Sequence, residues 1–174
     1  MKTTFLFILI TFISYSQAQK TDAFGNFSVT KNKLVWQKEY YLEDEYNLDK
    51  LLQEDAFTTN LRILKFKTSA ITNLFQLTVN NLPQYAKSSY RAFIVIDIYH
   101  DSFRVTVKEI TFPDFVEKRY YYNGMSNKSG GTLDYYILRD DGVIKQNSVS
   151  QHVLNSFNTS FEEIFDAMAT PLKE

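Results

Sequence analysis

Residues Ser89–Phe112 read SYRAFIVIDIYHDSFRVTVKEITF, and this stretch decides the fold. A turn at His100-Asp101 divides two runs rich in β-branched residues, which favour strand over helix. When the runs are paired so that partner numbers sum to 201, Ile94 faces Val107, Ile96 faces Val105 and Ile98 faces Phe103. The opposite side then sets Phe93 against Lys108, Val95 against Thr106 and Asp97 against Arg104. A slip of one residue would send the apolar row to the wrong face, so the pattern itself specifies the register of an antiparallel hairpin. Asp97 and Arg104 read as a cross-strand ion pair, worth under about 1 kcal/mol if exposed.

Upstream, Leu61–Thr68 and Ile71–Val79 have strand composition, and Asn80-Asn81-Leu82-Pro83 breaks the run. Leu48, Leu51 and Leu52 share one face of a short helix that Asp44 or Asn47 is placed to cap. Before it, Phe27–Tyr41 reads as a β region that Thr30-Lys31-Asn32-Lys33 folds into a hairpin, after a polar lead-in over 19–26. Downstream, residues 113–150 read as a β-ribbon excursion of two extended arms, with Tyr120-Tyr121-Tyr122 on one and Tyr135-Tyr136 on the other. Its expected tip is Asn123–Gly131 and a further turn falls at Asp140-Asp141-Gly142. A helix of 17–20 residues beginning near Ser150 closes the domain. Val153, Phe157, Phe161, Ile164, Phe165 and Met168 fall within an arc of about 120° on it, a stripe fit to cover a sheet. Thr170-Pro171 ends that helix. The order β-α-β-β-β-β, excursion, α predicts an α+β domain over 27–170, an antiparallel sheet with helices on one face.

The chain begins MKTTFLFILITFISYSQA. One positive charge at Lys2, an apolar run over Phe5–Ile13 and the small-x-small site Ser16-Gln17-Ala18 have the layout of a secretory signal over 1–18, cleaved between Ala18 and Gln19. Nine residues are too few to span about 30 Å of hydrocarbon. Removing the signal takes Lys2 and no acid, so the formal charge moves from −1 to −2. Gln19 stands where a lipidated cysteine would have to be, and the sequence has no cysteine at all. These features lead us to expect an exported protein, periplasmic or secreted, neither a lipoprotein nor held to the membrane after cleavage, and without disulfide support.

The opening strand with Leu34-Val35-Trp36-Gln37-Lys38, the leucine helix and the phrase AFIVIDIYHDSFRVTVKEITF resemble an uncharacterised secreted Bacteroidetes family with a TBP-like fold. The likeness covers roughly 27–112 plus the helix after Ser150, with 113–150 as an insertion. It implies a strand, a helix, four strands and a final helix, together with secretion. It implies no reaction, because the family carries no assigned catalytic residues. The DNA-binding members of the fold use basic residues and apolar wedges on a concave sheet. A nearly neutral, exported chain whose open hairpin face carries Phe93, Val95, Asp97, Tyr99, Arg104, Thr106 and Lys108 points away from nucleic acid.

Catalytic patterns are sparse. His100 beside Asp101 is a turn pair, and His152 opens the closing helix. There is no HExxH, CxxC, GxSxG or SxxK pattern. Asp140-Asp141-Gly142 is a fragment of a calcium loop or, more simply, a turn, and Ser129-Gly130-Gly131 lacks the lysine and following helix of a phosphate loop. No metal or cofactor is expected. With twelve Tyr and fifteen Phe in 174 residues, the candidate binding residues are Tyr120, Tyr121, Tyr122, Tyr135, Tyr136, Phe93 and Tyr99. Tyrosine offers contact area with a polar handle, and the simpler reading is a half-packed β ribbon. The function expected is a non-enzymatic binding module of the cell envelope with a periplasmic or envelope partner. One alternative is a periplasmic enzyme, hydrolase-like, using dispersed carboxylates such as Asp97, Glu109 or Asp114. The other is self-association through the open sheet face or an edge strand.

Overall fold

A computed structural model of the protein describes residues 23–41, 61–63, 69–72, 75–99, 102–121 and 124–169. In chain order the strands are β1 (Ala23–Phe24), β2 (Phe27–Thr30), β3 (Lys33–Tyr41), β4 (Leu61–Ile63), β5 (Ser69–Thr72), β6 (Arg91–Ile98), β7 (Ser102–Tyr121) and β8 (Gly124–Thr132). Two helices follow, α1 (Leu133–Ile137) and α2 (Ser148–Ala169). One antiparallel sheet runs β1-β2-β3-β7-β6-β5-β4, with β8 pairing the far half of β7. The signal over 1–18, the leucine helix and the His100-Asp101 turn lie outside the described residues.

The hairpin register is the one the apolar row demands, with all six sum-201 pairs present. It shifts near Arg91, which pairs Thr111. Glu109 has φ +55° and sits as the extra residue of a bulge. The insertion inverts the alternation, so Ile110 and Phe112 turn inward after Val105 and Val107. On β3 the inward positions are Leu34, Trp36 and Tyr40, all buried. The β2–β3 turn has Lys31 and Asn32 both left-handed (φ 51° and 59°), as a two-residue hairpin of type I′ requires.

α2 covers this face with Val153, Leu154, Phe157, Phe161 and Phe165, all buried. It starts two residues earlier than expected because Asn147 caps it, its Oδ1 accepting from Ser150 N at 2.8 Å. An aromatic file joins helix to sheet: Phe165 stacks on Trp36 at 5.7 Å, Trp36 meets Phe161 edge-on at 5.4 Å, and Phe157 touches Phe112 at 6.3 Å. The architecture is α+β with helices on one face.

Four details depart from the sequence reading. The lead-in contains β1, paired with β2 across a turn in which Gly25 is left-handed (φ +57°). The strand expected over Ile71–Val79 spans Ser69–Thr72, and Gln76–Val79 is irregular, with Leu77 turned into the core. The expected tip Asn123–Gly131 falls instead, over 124–131, on the return strand β8, whose first residue Gly124 pairs Tyr121. A backbone ladder over β7 supplies partners that local glycine content cannot reveal. Lastly, Tyr135-Tyr136 lie on the helix α1, where Thr132 caps the first turn by accepting from Tyr135 N. No helix among the described residues is long and apolar enough to cross a membrane.

Candidate functional site

The sequence Thr132-Leu133-Asp134-Tyr135-Tyr136-Ile137 sets a cap, two buried apolar anchors and an acid on one short helix. Leu133 and Ile137 are buried, which fixes the helix on the sheet and leaves Tyr135 exposed, with Tyr136 packed against the edge of the core. Asp134 reaches the neighbouring hairpin: its carboxylate accepts from Leu34 N at 2.9 Å and pairs with Lys33 Nζ at 3.5 Å. After α1 the chain doubles back, with Leu138 bridged to Ile144 and Lys145 N donating to Ile137 O at 2.9 Å. The Asp140-Asp141-Gly142 turn closes that loop, as expected. Gly142 is left-handed (φ +76°) and approaches Asn32 so closely that a Cβ there would lie 2.6 Å from Asn32 Oδ1. Only glycine serves both the backbone and the contact.

Between these elements lies a cleft of about 950 Å³. Its walls are α1, the 139–142 turn, Asn32 of the β2–β3 turn and Glu117 of β7. Tyr136 forms the floor. Its ring stacks on Tyr85 with centroids 3.9 Å apart and 8° between planes, with Phe112 and Phe115 edge-on at 6.1 Å each. Burial, then the neighbouring Tyr136, push the Tyr85 phenol up to about 12. Gly131 makes room for the floor, since a Cβ there would meet the Tyr136 hydroxyl at 2.5 Å. Tyr135 stands edge-on to Tyr136 at 5.0 Å and is 43% exposed. Lys145 Nζ donates to Tyr136 O at 2.8 Å, and Arg139 pairs with Asp141 at 2.9 Å.

No family model matches this chain. Searches of curated proteins and of solved structures return no match either. The geometry alone therefore carries the functional argument.

Of the residues singled out from the sequence, the fold brings Tyr135 and Tyr136 into this cleft. Tyr120 and Tyr121 lie farther along the β7–β8 ribbon, opposite Met125 and Gly124 in register, about 10 Å or more beyond Glu117. Tyr122 is outside the described residues. Phe93 and Tyr99 lie on the open sheet face, beneath Lys108 and Arg104, each cation 5.2 Å from its ring. Arg104 takes its ion pair from Glu39 of β3 at 3.4 Å, a correction to the pairing with Asp97 expected from the hairpin alone. In the sheet Arg104 has a neighbour on each side, and the carboxylate of β3 reaches it. Gln37 donates to Thr106 on the same face at 3.0 Å. On that face Arg104, Lys108, Gln37 and Thr106 thus find partners within the sheet.

Glu109 lies five residues past Arg104 along β7, and Asp114 five past that, so Asp97, Glu109 and Asp114 stand about 16 Å apart in succession and do not converge. No group of three or more His, Cys, Asp and Glu among the described residues is placed to hold a metal. His152 Nε2 lies 3.1 Å from Asn80 O, tying α2 to the 80–83 loop. The cleft residues that the sequence reading missed are Asn32, Glu117, Thr132, Asp134, Arg139 and Lys145. Each is an ordinary turn or surface residue locally, and only tertiary packing joins them.

Proposed function

We propose that this protein is an exported binding module of the cell envelope and that it engages its partner through the α1 cleft. The observation that carries the reading is Tyr135, an exposed ring on a rigid floor in a concave site. Concave sites with a few fixed polar groups are where ligands bind, and a wall pinned by stacking and hydrogen bonds loses little entropy on binding. The open sheet face is a weaker candidate, because its cations already rest on Phe93, Tyr99 and Glu39.

The test is capture from envelope extract on immobilised residues 19–174, comparing the parent with Tyr135→Ala and Arg139→Ala. A stoichiometric component retained by the parent and lost by both variants supports the reading. Equal retention by all three would remove the cleft from it. N-terminal sequencing of the exported protein checks the premise of export, the expected first residue being Gln19.

A further inference from the structure

We infer that the ligand of the α1 cleft is a neutral, hydroxyl-rich molecule, a saccharide chain. The inference rests on the cleft being the binding site and adds the chemical class of what it binds.

The argument begins with charge. Four carboxylates (Glu117, Asp134, Asp140, Asp141) and two cations (Arg139, Lys145) line the site. An anionic ligand would find Arg139 already in an ion pair with Asp141 and Lys145 spent on the Tyr136 carbonyl. A cationic ligand would find Asp141 held by Arg139 and Asp134 held by Lys33 and the Leu34 amide, with the exposed Asp140 left to offer it a single ion pair at the surface. Displacing those partners returns little, because exposed ion pairs are worth under about 1 kcal/mol and a new one would merely replace the old. Lys145 on a carbonyl and the exposed Asp140 leave one charge of each sign, so the lining keeps its hydrogen-bonding capacity with no strong preference for a charged ligand. Each carboxylate oxygen accepts more than one donor, and the Arg139 guanidinium has five N–H groups of which Asp141 uses only part. A ligand with many hydroxyls, donors and acceptors at once, uses both sets.

The second element is the ring. Tyr135 presents an apolar face to the site, and a π face is electron-rich. A pyranose has flat patches of C–H groups, slightly positive, between its hydroxyls, and such a patch sits on that face while the hydroxyls reach Asp134, Arg139 and Asp140. An apolar peptide segment would satisfy the ring but cover Asp140 with nothing to donate to it, which is costly. Rigidity is the third element. The Tyr136–Tyr85 stack, the Asn32–Gly142 contact and the Asp134–Leu34 bond fix three walls independently. Weakly binding ligands such as neutral sugars need that preorganisation most.

The experiment titrates the chain with maltotriose, cellotriose, laminaritriose and chitotriose, with hexalysine and hexaglutamate as charged controls. Amide shifts by heteronuclear NMR locate binding and calorimetry measures it. At least one trisaccharide should shift amides of 132–142, with an affinity unchanged up to about 0.5 M salt, where surface charge is screened. Tyr135→Ala should lower that affinity at least tenfold, about 1.4 kcal/mol, while Tyr135→Phe retains it. Hexalysine or hexaglutamate binding at these amides with steep salt dependence, or trisaccharides leaving them unmoved, overturns the assignment. If the trisaccharides fail while an envelope protein is still lost on Tyr135→Ala, the saccharide class falls and the binding module stands. If Tyr135→Ala alters neither, both fall.

Discussion

Asn158 is the residue whose replacement tests most of this packing at once. Its Oδ1 accepts from Trp36 Nε1 at 3.0 Å, from Asn26 Nδ2 at 3.0 Å and from Asn26 N at 3.4 Å. Its Nδ2 donates to Glu162 at 3.0 Å, and Glu162 also receives Asn26 and Lys38. One amide on α2 thus ties down the β1–β2 turn and the only tryptophan, whose ring is fully buried. Asn158→Ala leaves the indole N–H without a partner inside the core, which costs about 1–3 kcal/mol. Loss of the half-buried Asn26 bonds adds about 1 kcal/mol, since water replaces part of them. We expect a total of about 2–4 kcal/mol, a fall in Tm of about 5–12 °C for a chain of this size. Asn158→Asp separates hydrogen bonding from packing: it keeps the acceptor and sets a second carboxylate beside Glu162. Like charges raise the folded-state pKa of such a pair, so its protonated form is the one the fold favours. The Asp variant should therefore regain stability as pH falls from 7 toward about 5, whereas the Ala variant's deficit stays flat. Urea unfolding followed by Trp36 fluorescence reads both. An Ala variant within about 0.5 kcal/mol of the parent, or parallel pH profiles for the two variants, would refute the reasoning.

Three further outcomes follow from the same packing. Burial raises the Tyr85 and Tyr90 phenols to about 12 and carries Tyr40 upward as well, with Asp166 and Glu162 adding to Tyr40. A folded pKa above the unfolded value means this stability is complete below about pH 10 and lost as pH rises toward 12. The share of the phenolate absorbance that belongs to these three rings should appear only with cooperative unfolding in that window, and titration of all tyrosines at pH 10 before unfolding would contradict it. Gly131→Ala places a methyl against the Tyr136 hydroxyl, and overpacking of this kind should cost about 1–3 kcal/mol in denaturant unfolding. Replacing 118–127 by Asn-Gly, so that Glu117 and Lys128 still pair, should move Tm by less than about 4 °C and spare cleft binding, because a two-stranded ribbon adds little stability by itself.

Strand identity and register were legible where side-chain alternation ran unbroken against a buried face. Residues 93–108 are such a case, and every expected pair there is present. Legibility failed at Glu109, because a bulge leaves no local mark on a residue whose left-handed backbone the sheet imposes. It failed again at 124–131, where glycine, serine and asparagine read as a loop. Those residues are strand because β7 continues past the sheet and offers a free edge. The stripe of α2 was plain in sequence, since Val153, Phe157, Phe161 and Phe165 repeat at helical spacing and all are buried. Half of the candidate site was also visible as Tyr135-Tyr136 and the Asp140–Gly142 turn. The rest, Asn32 and Asp134 among it, depends on the β2–β3 turn meeting α1 and the 139–142 turn a hundred residues later in the chain.

The aromatic excess and the missing cysteines have one physical solution in this fold. A small domain without cysteines must draw its stability from burial alone, and large rings supply the most buried area per residue. They form a continuous file, Phe165–Trp36–Phe161–Phe157–Phe112–Tyr136, and its last contact is Tyr135 at 5.0 Å. Each ring in the file is held by the next, so the ring that ends it in the cleft inherits their rigidity without being buried itself. Tyr136 belongs to both systems, packed on Tyr85 beneath and forming the floor of the cleft above. Stability and the proposed recognition therefore separate between adjacent residues: Tyr136 cannot be removed without opening the core, while the more exposed Tyr135 can be replaced with far less loss of packing, so that its substitution tests the proposed binding.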